Sequence, residues 1–207
     1  MSENSVKTSK KWWLVALAGA VVGVLELLVI RFATYNPPTV HYHANFAVYI
    51  NGQREAFKSP QYYQEVSICS LHGSTPEARV HMHDNINNVV HVHDQAVTWG
   101  DFFQNLGWGI GQNYLATPTQ VYTANGSDQL NIVLNGHNLT GLTNLGDTVI
   151  KDKDQLLVSF GTISDSQLQQ EFKSVGNSAA RYDTQKDTSA CSGSEGPTIS
   201  GRLHHLF

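Results

Sequence analysis

The 207-residue sequence has few charged residues, few cysteines and no excess of positive charge. Charged residues make up 14% of the chain and the net charge is -4, so the sequence lacks the basic surface typical of nucleic-acid binding, and no nucleic-acid partner is expected. The two cysteines, Cys69 and Cys191, form no C-x-x-C motif, which argues against thioredoxin-type redox catalysis. A hydrophobic content of 41% nevertheless suits a globular domain with appendages.

One long apolar run lies near the N-terminus. Residues 12–30 are apolar except for Glu26, and these nineteen residues are just enough for a helix to cross a bilayer. Three lysines precede the run, whereas Arg31 is the only nearby positive charge after it. The positive-inside rule therefore predicts a single-pass anchor in the cell membrane, with residues 1–11 cytoplasmic and the rest of the chain extracytoplasmic. A cleavable signal peptide is the alternative, but the run is longer than a typical signal core and no small-x-small site follows it.

Export would place both cysteines in an oxidising compartment. A disulfide between Cys69 and Cys191 is then expected, and it would hold the C-terminal tail against the folded domain. The tail itself is rich in Ser, Thr, Gly and Asp and has little apolar surface to bury. Without such a link it should be partly disordered.

Turn residues and alternating apolar positions divide the exported part into three segments. Residues 31–39 contain the only Pro-Pro pair and predict an extended linker. Residues 40–163 contain several strand-like segments and one helix, which should begin after Thr98 as its N-cap. They predict an α+β domain with an antiparallel or mixed sheet, one packed helix and a β-grasp-like arrangement. Residues 164–207 predict one short helix followed by the tail.

The most informative motif is a His-x-His pair that occurs three times within about fifty residues. Ten histidines placed at random in this length would give about half of one such pair, so the clustering is unlike chance. A strand sends residues i and i+2 to the same face, and each pair would therefore present two imidazoles to one place. Imidazole is a ligand for copper and zinc. The predicted ligands are His41, His43, His81, His83, His91 and His93.

The register of one hairpin decides how these histidines group. A three-residue loop at residues 86–88, with Asn88 in the left-handed conformation, would place His83 opposite His91 and His81 opposite His93. Those four imidazoles would form one patch, which His41 and His43 could join only if their strand lies beside the hairpin. A two-residue loop would instead send the two histidine sets to opposite faces.

Several readings of the cluster stay open. Six imidazoles exceed one tetrahedral shell, so they suit two metal ions or one ion with supporting histidines. Asp84 and Asp94 are turn or cap residues, or carboxylates that orient an imidazole, and Asn45 lies on the face from which it could do the same. The leading function is metal capture, sensing or delivery. The alternatives are a zinc hydrolase or hydratase with Asp84, Asp94 or Glu65 as general base, and a metal-free adhesion or assembly module.

The segments HYHANFAVYING, HMHD, HVHD and TWGDFFQNLG together resemble an uncharacterised family of small, membrane-anchored, exported proteins from reduced-genome bacteria and related archaea. The resemblance covers residues 40–109. It implies the fold unit and its repeated His-x-His motifs, and it implies no particular reaction, substrate or protein partner.

Overall fold

The structure, a computed structural model, describes residues 9–35, 40–63, 75–82, 84–139, 144–183 and 199–206. The chain divides into two units, one formed by Met1–Pro38 with Glu195–Phe207 and the other by Thr39–Ser194. Three predictions fall on positions outside the described residues: the ligand role of His83, the general-base role of Glu65 and the disulfide between Cys69 and Cys191.

Regular elements run along the described chain in the following order: α1 (Ser9–Thr34), β1 (Tyr42–Ile50), β2 (Gln53–Arg54), α2 (Pro76–Arg79), β3 (Val80–His81), β4 (Val89–Val92), α3 (Trp99–Asn105), β5 (Gly109–Ile110), β6 (Tyr114–Ala116), β7 (Val121–Thr123), β8 (Gln129–Leu134), β9 (His137–Asn138), β10 (Gln155–Gly161), α4 (Asp165–Lys173), α5 (Ala179–Tyr182) and α6 (Ile199–His204). Short 3-10 turns lie at Pro60–Tyr62 and Leu145–Asp147.

The first unit is built on α1. Its segment Lys11–Thr34 has a mean hydropathy of 2.5 and is the one described helix long and apolar enough to cross a membrane. The C-terminal helix α6 contacts the end of α1, where the Arg202 guanidinium donates a 2.9 Å hydrogen bond to the Ala33 carbonyl. Such a bond satisfies a carbonyl that the last turn of a helix leaves without an intrahelical partner.

The second unit is organised around a mixed sheet. Its strand order is β3-β4-β1-β10-β8-β9, with β2 paired to β1, and a separate three-stranded sheet has the order β5-β6-β7. The central strands β1 and β10 are parallel, whereas the other pairs in the large sheet are antiparallel. Asn51-Gly52 forms the turn of a hairpin between β1 and β2, because Ile50 pairs with Gln53. An α+β fold with a mixed sheet is thus confirmed, while the β-grasp likeness stays a prediction.

One face of the sheet packs against α3. The predicted N-cap is confirmed, since the Thr98 hydroxyl accepts a 3.1 Å hydrogen bond from the Asp101 amide and the Asp101 carboxylate accepts one from the Thr98 amide. This capping box starts a helix that buries Phe102 and Phe103, and the Phe102 ring meets Phe46 of β1 at a centroid distance of 4.9 Å. The main hydrophobic core therefore lies between β1 and α3.

The opposite face of the sheet is covered by α4. Leu168 and Phe172 pack there against Ala47 of β1 and Leu157 of β10. The two faces follow the alternation in β1, because Phe46 and Val48 belong to the first core and Ala47 to the second. Sequence patterns predicted one packed helix and an end of the domain at Ile163. The short helix predicted after Ser164 is α4, and both α4 and α5 pack on the strands of the large sheet.

Candidate metal centre

Three neighbouring strands bring histidines into one row. His91 of β4 pairs directly with His43 of β1 on one side and with His81 of β3 on the other. All three side chains are buried, with 1–2% of their surface exposed. Directly opposed residues in antiparallel strands have Cβ atoms about 4.5–5.5 Å apart, so the sheet itself packs these imidazoles together.

The predicted hairpin register is wrong by two residues. His81 was expected opposite His93, but it pairs with His91. The expected left-handed residue was Asn88, whereas the left-handed residues in this connection are Asp84 and Asn85, with φ angles of 56° and 57°. A shift of two residues returns every side chain to the same face, so the error leaves His81 on the same face as His91.

The condition for including the first His-x-His pair is met, because β1 lies directly beside β4. The His41 ring stacks on His93 with a centroid distance of 4.6 Å and an interplanar angle of 15°. The centroid of the His81 ring lies 5.0 Å from the centroid of the His93 ring. Histidines from all three motifs therefore occupy one patch on the sheet.

Among the described residues, His41, His91 and His93 form a group that could hold a metal ion. One ring nitrogen from each lies within 4.8 Å of the other two. Nitrogens bound to a tetrahedral zinc ion at about 2.0–2.1 Å stand about 3.4 Å apart, so the widest separation allowed by that limit would have to shrink by about 1.4 Å. His91 is buried, and although His41 and His93 are partly exposed as residues, His41 Nε2, His91 Nε2 and both ring nitrogens of His93 are buried from solvent.

His43 connects this group to a carboxylate. Its Nδ1 lies 2.7 Å from Oδ1 of Asp183, and its Nε2 lies 3.0 Å from Nδ1 of His91. A carboxylate only accepts hydrogen bonds, so His43 donates from Nδ1. In its neutral form His43 then carries its lone pair on Nε2, where it accepts the hydrogen bond donated by Nδ1 of His91. His43 thus supports His91 and is not itself in the three-histidine group.

His81 is oriented by the backbone. Its Nδ1 lies 2.8 Å from the Glu77 carbonyl oxygen, which can only accept, so His81 donates from Nδ1 and its neutral form has the lone pair on Nε2. Histidines that bind metals commonly use their other nitrogen in this way. His81 has the tautomer of a ligand, but it lies outside the three-histidine group.

Asn45 lies on the face from which it could orient an imidazole, but its side chain bonds instead to the residue before β4 and to the start of α5. Its amide nitrogen donates to the Asn88 carbonyl at 3.0 Å and to the Ser178 hydroxyl at 2.9 Å, while its Oδ1 accepts from the Ala179 amide at 2.8 Å. Asn45 therefore fixes the start of α5 on the sheet. Because α5 leads into Asp183, this anchor also determines where the carboxylate meets His43.

The two aspartates that follow His-x-His pairs lie at turns of the chain. Asp94 accepts a 2.7 Å hydrogen bond from Arg79 and another from the Gln95 amide. Asp84 is exposed in the turn between β3 and β4. The contacts of Asp94 fit the role of a turn or cap residue.

Asp183 is the site residue that sequence reasoning missed. Partial burial raises the pKa of its carboxyl, but the hydrogen bonds from His43 and Lys153 outweigh burial and hold that pKa below its ordinary value. Lys153 Nζ lies 2.9 Å from Oδ2 of Asp183, and the Lys153 amide donates to the His43 carbonyl. The Asp183 position falls in a segment predicted to be a tail, 140 residues from His43, so no local pattern pointed to it.

No protein family, curated protein or solved structure matches this chain. The fold and the site define an α+β domain with a histidine cluster that could bind a metal ion, in a chain that also has an apolar helix long enough to cross a membrane.

Proposed function

We propose that this chain is a membrane-tethered protein that binds copper or zinc on the extracytoplasmic side of the membrane. The observation that carries the proposal is the group formed by His41, His91 and His93, whose ring nitrogens lie within 4.8 Å of one another. Two of these ligands come from adjacent positions on one face of a strand end, so little further ordering is needed when the ion binds. We also propose that the chain is related to the exported proteins with repeated His-x-His motifs that it resembles.

Copper and zinc are the preferred ions because the ligand set is all imidazole. Neutral imidazole suits both ions, whereas calcium and magnesium prefer oxygen ligands. For a given site the affinity for Cu²⁺ generally exceeds that for Zn²⁺, so availability decides between them in the cell. The proposal of an outward location rests on Lys7, Lys10 and Lys11, which precede the apolar run at residues 12–30 and favour a cytoplasmic N-terminus.

Metal binding by the full chain in detergent micelles tests this function. We expect equilibrium dialysis followed by elemental analysis to find bound zinc or copper in the wild type and a large loss of binding in His41→Ala. His41 is partly exposed, so this change should leave the sheet intact. His137→Ala is the matched control, because His137 is exposed on β9, away from the cluster. A wild type that binds neither ion, or equal binding by the two variants, would refute the proposal.

A second candidate is a zinc enzyme for hydrolysis or hydration. The observation that favours it is the number of ligands, because three histidines leave a fourth position for water, as in catalytic zinc sites. Zinc-dependent hydrolysis of an activated ester, lost in His41→Ala and kept in His137→Ala, would support this candidate. Zinc binding without turnover would favour capture or delivery.

A further inference from the structure

A series of hydrogen bonds through three side chains leads from the end of α5 to the three-histidine group. Asp183 Oδ1 lies 2.7 Å from His43 Nδ1, and His43 Nε2 lies 3.0 Å from His91 Nδ1. His43 and His91 are almost fully buried, with 1% and 2% of their surface exposed. Since water has little access to these rings, their protein partners determine which nitrogen carries the proton.

The carboxylate determines which group donates and which accepts in each of these hydrogen bonds. Asp183 accepts from His43, neutral His43 accepts from His91, and the lone pair of His91 is then on Nε2. The opposite tautomer of His91 would place a proton on Nε2 and a lone pair on Nδ1, which faces His43. Only the first tautomer combines the His43 hydrogen bond with a lone pair on the other side of the ring.

We propose that Asp183 and His43 are positioning residues that hold His91 in its metal-binding tautomer, and that docking of residues 178–183 is therefore coupled to metal affinity. This inference rests on the proposed metal-binding function. It assigns a role to residues 178–183, which would help to orient a metal ligand although they contribute no ligand themselves.

Two further anchors hold this segment in place. Asn45 bonds the start of α5 through Ser178 and Ala179, and Lys153 bonds Asp183 from the turn before β10. Tyr182 covers the same patch, with its ring centroid 5.8 Å from His43 and 6.0 Å from His91. Because coupling is reciprocal, a metal ion bound to His91 should in turn stabilise the docked segment.

The test compares Asp183→Asn with Asp152→Asn in the full chain. Both aspartates form ion pairs with Lys153 Nζ. Of the two, Asp183 also contacts His43, whereas the Asp152–Lys153 pair lies at the surface. Losing a group that directly orients a metal-bound histidine usually costs about 10- to 100-fold in affinity. Asp183 acts on His91 through His43, so we expect Asp183→Asn to weaken zinc binding by up to about 10-fold, the lower end of that range. Asp152→Asn should bind zinc as the wild type does, and Asp183→Glu should recover part of the loss.

A second readout needs no metal. Long-range ¹⁵N–¹H correlation spectra report which nitrogen of each histidine carries its proton, and His91 should be protonated on Nδ1 in the wild type and in Asp152→Asn. In Asp183→Asn the signal should shift toward a mixture of tautomers. Failure of the wild type to bind zinc would overturn the metal function, while the spectra would still test the role of Asp183. If zinc binds but Asp183→Asn matches Asp152→Asn in both readouts, the positioning role is refuted.

Discussion

Replacing Asn45 with alanine should release the segment that leads to Asp183. The Asn45 side chain is 1% exposed and makes three hydrogen bonds, to Asn88, Ser178 and Ala179. A typical intramolecular hydrogen bond contributes about 1 kcal/mol to stability, so the loss of all three bonds should cost at most about 3 kcal/mol. The Asn88 carbonyl also accepts from the Phe46 amide, so it keeps a partner in the variant. We therefore expect a loss of about 2–3 kcal/mol, most of it at the buried Ala179 amide.

Amide hydrogen exchange and urea unfolding together measure this loss. A cost of about 2–3 kcal/mol corresponds to about 30- to 150-fold faster exchange in residues 178–183, if they open as one local unit. Urea unfolding can be followed through the buried Trp99 and Trp108. Ser178→Ala is the graded control, since it removes one of the three bonds and should cost about 0.5–1.5 kcal/mol. Equal losses in Asn45→Ala and Ser178→Ala, or faster exchange only in other segments, would refute the anchoring role.

Two further predictions concern stability. The pKa of Asp183 in the folded protein is lowered below the ordinary 3.8, so the ionised carboxylate contributes stability above about pH 4 that is lost as the pH falls through the native pKa. Urea unfolding measured from pH 6 to pH 3 should show this loss of stability. The Asp183→Asn variant should show a flatter stability profile over the same pH range. An unchanged profile in Asp183→Asn would contradict it. Gly100→Ala would place a Cβ 2.4 Å from the Gly146 carbonyl oxygen and should cost about 1–3 kcal/mol in thermal or urea unfolding. Gly109→Ala, whose Cβ would meet its nearest atom at 3.5 Å, should cost less, and equal costs would argue against the close approach.

Local patterns in the sequence predicted the features that depend on neighbouring residues. Alternation along β1 is enough to place Phe46 and Val48 on one face and His43 and Asn45 on the other, because successive side chains of a strand point to opposite sides. The start of α3 was also predictable, because a Thr98 side chain caps a helix through contacts only three residues away.

The hairpin register was harder to predict, because it depends on the whole connection and on the neighbouring strand. The connection between β3 and β4 places Asp84 and Asn85 in the left-handed region, while the Asn88 carbonyl bonds to the Phe46 amide of β1. A rule for short hairpin loops does not include that third strand. The predicted pairing of His81 with His93 was therefore wrong, although the shared face was right.

By itself, the sequence determined the apolar helix, the α+β class, the faces of β1 and the likeness of the His-x-His motifs to metal ligands, since each follows from composition or spacing within a few residues. Only the tertiary structure decided that β1 lies beside β4, which brings His41 together with His91 and His93. It also decided that Asp183 reaches His43 across 140 residues of chain. These contacts depend on strand order and on the packing of α4 and α5, which are properties of the whole fold.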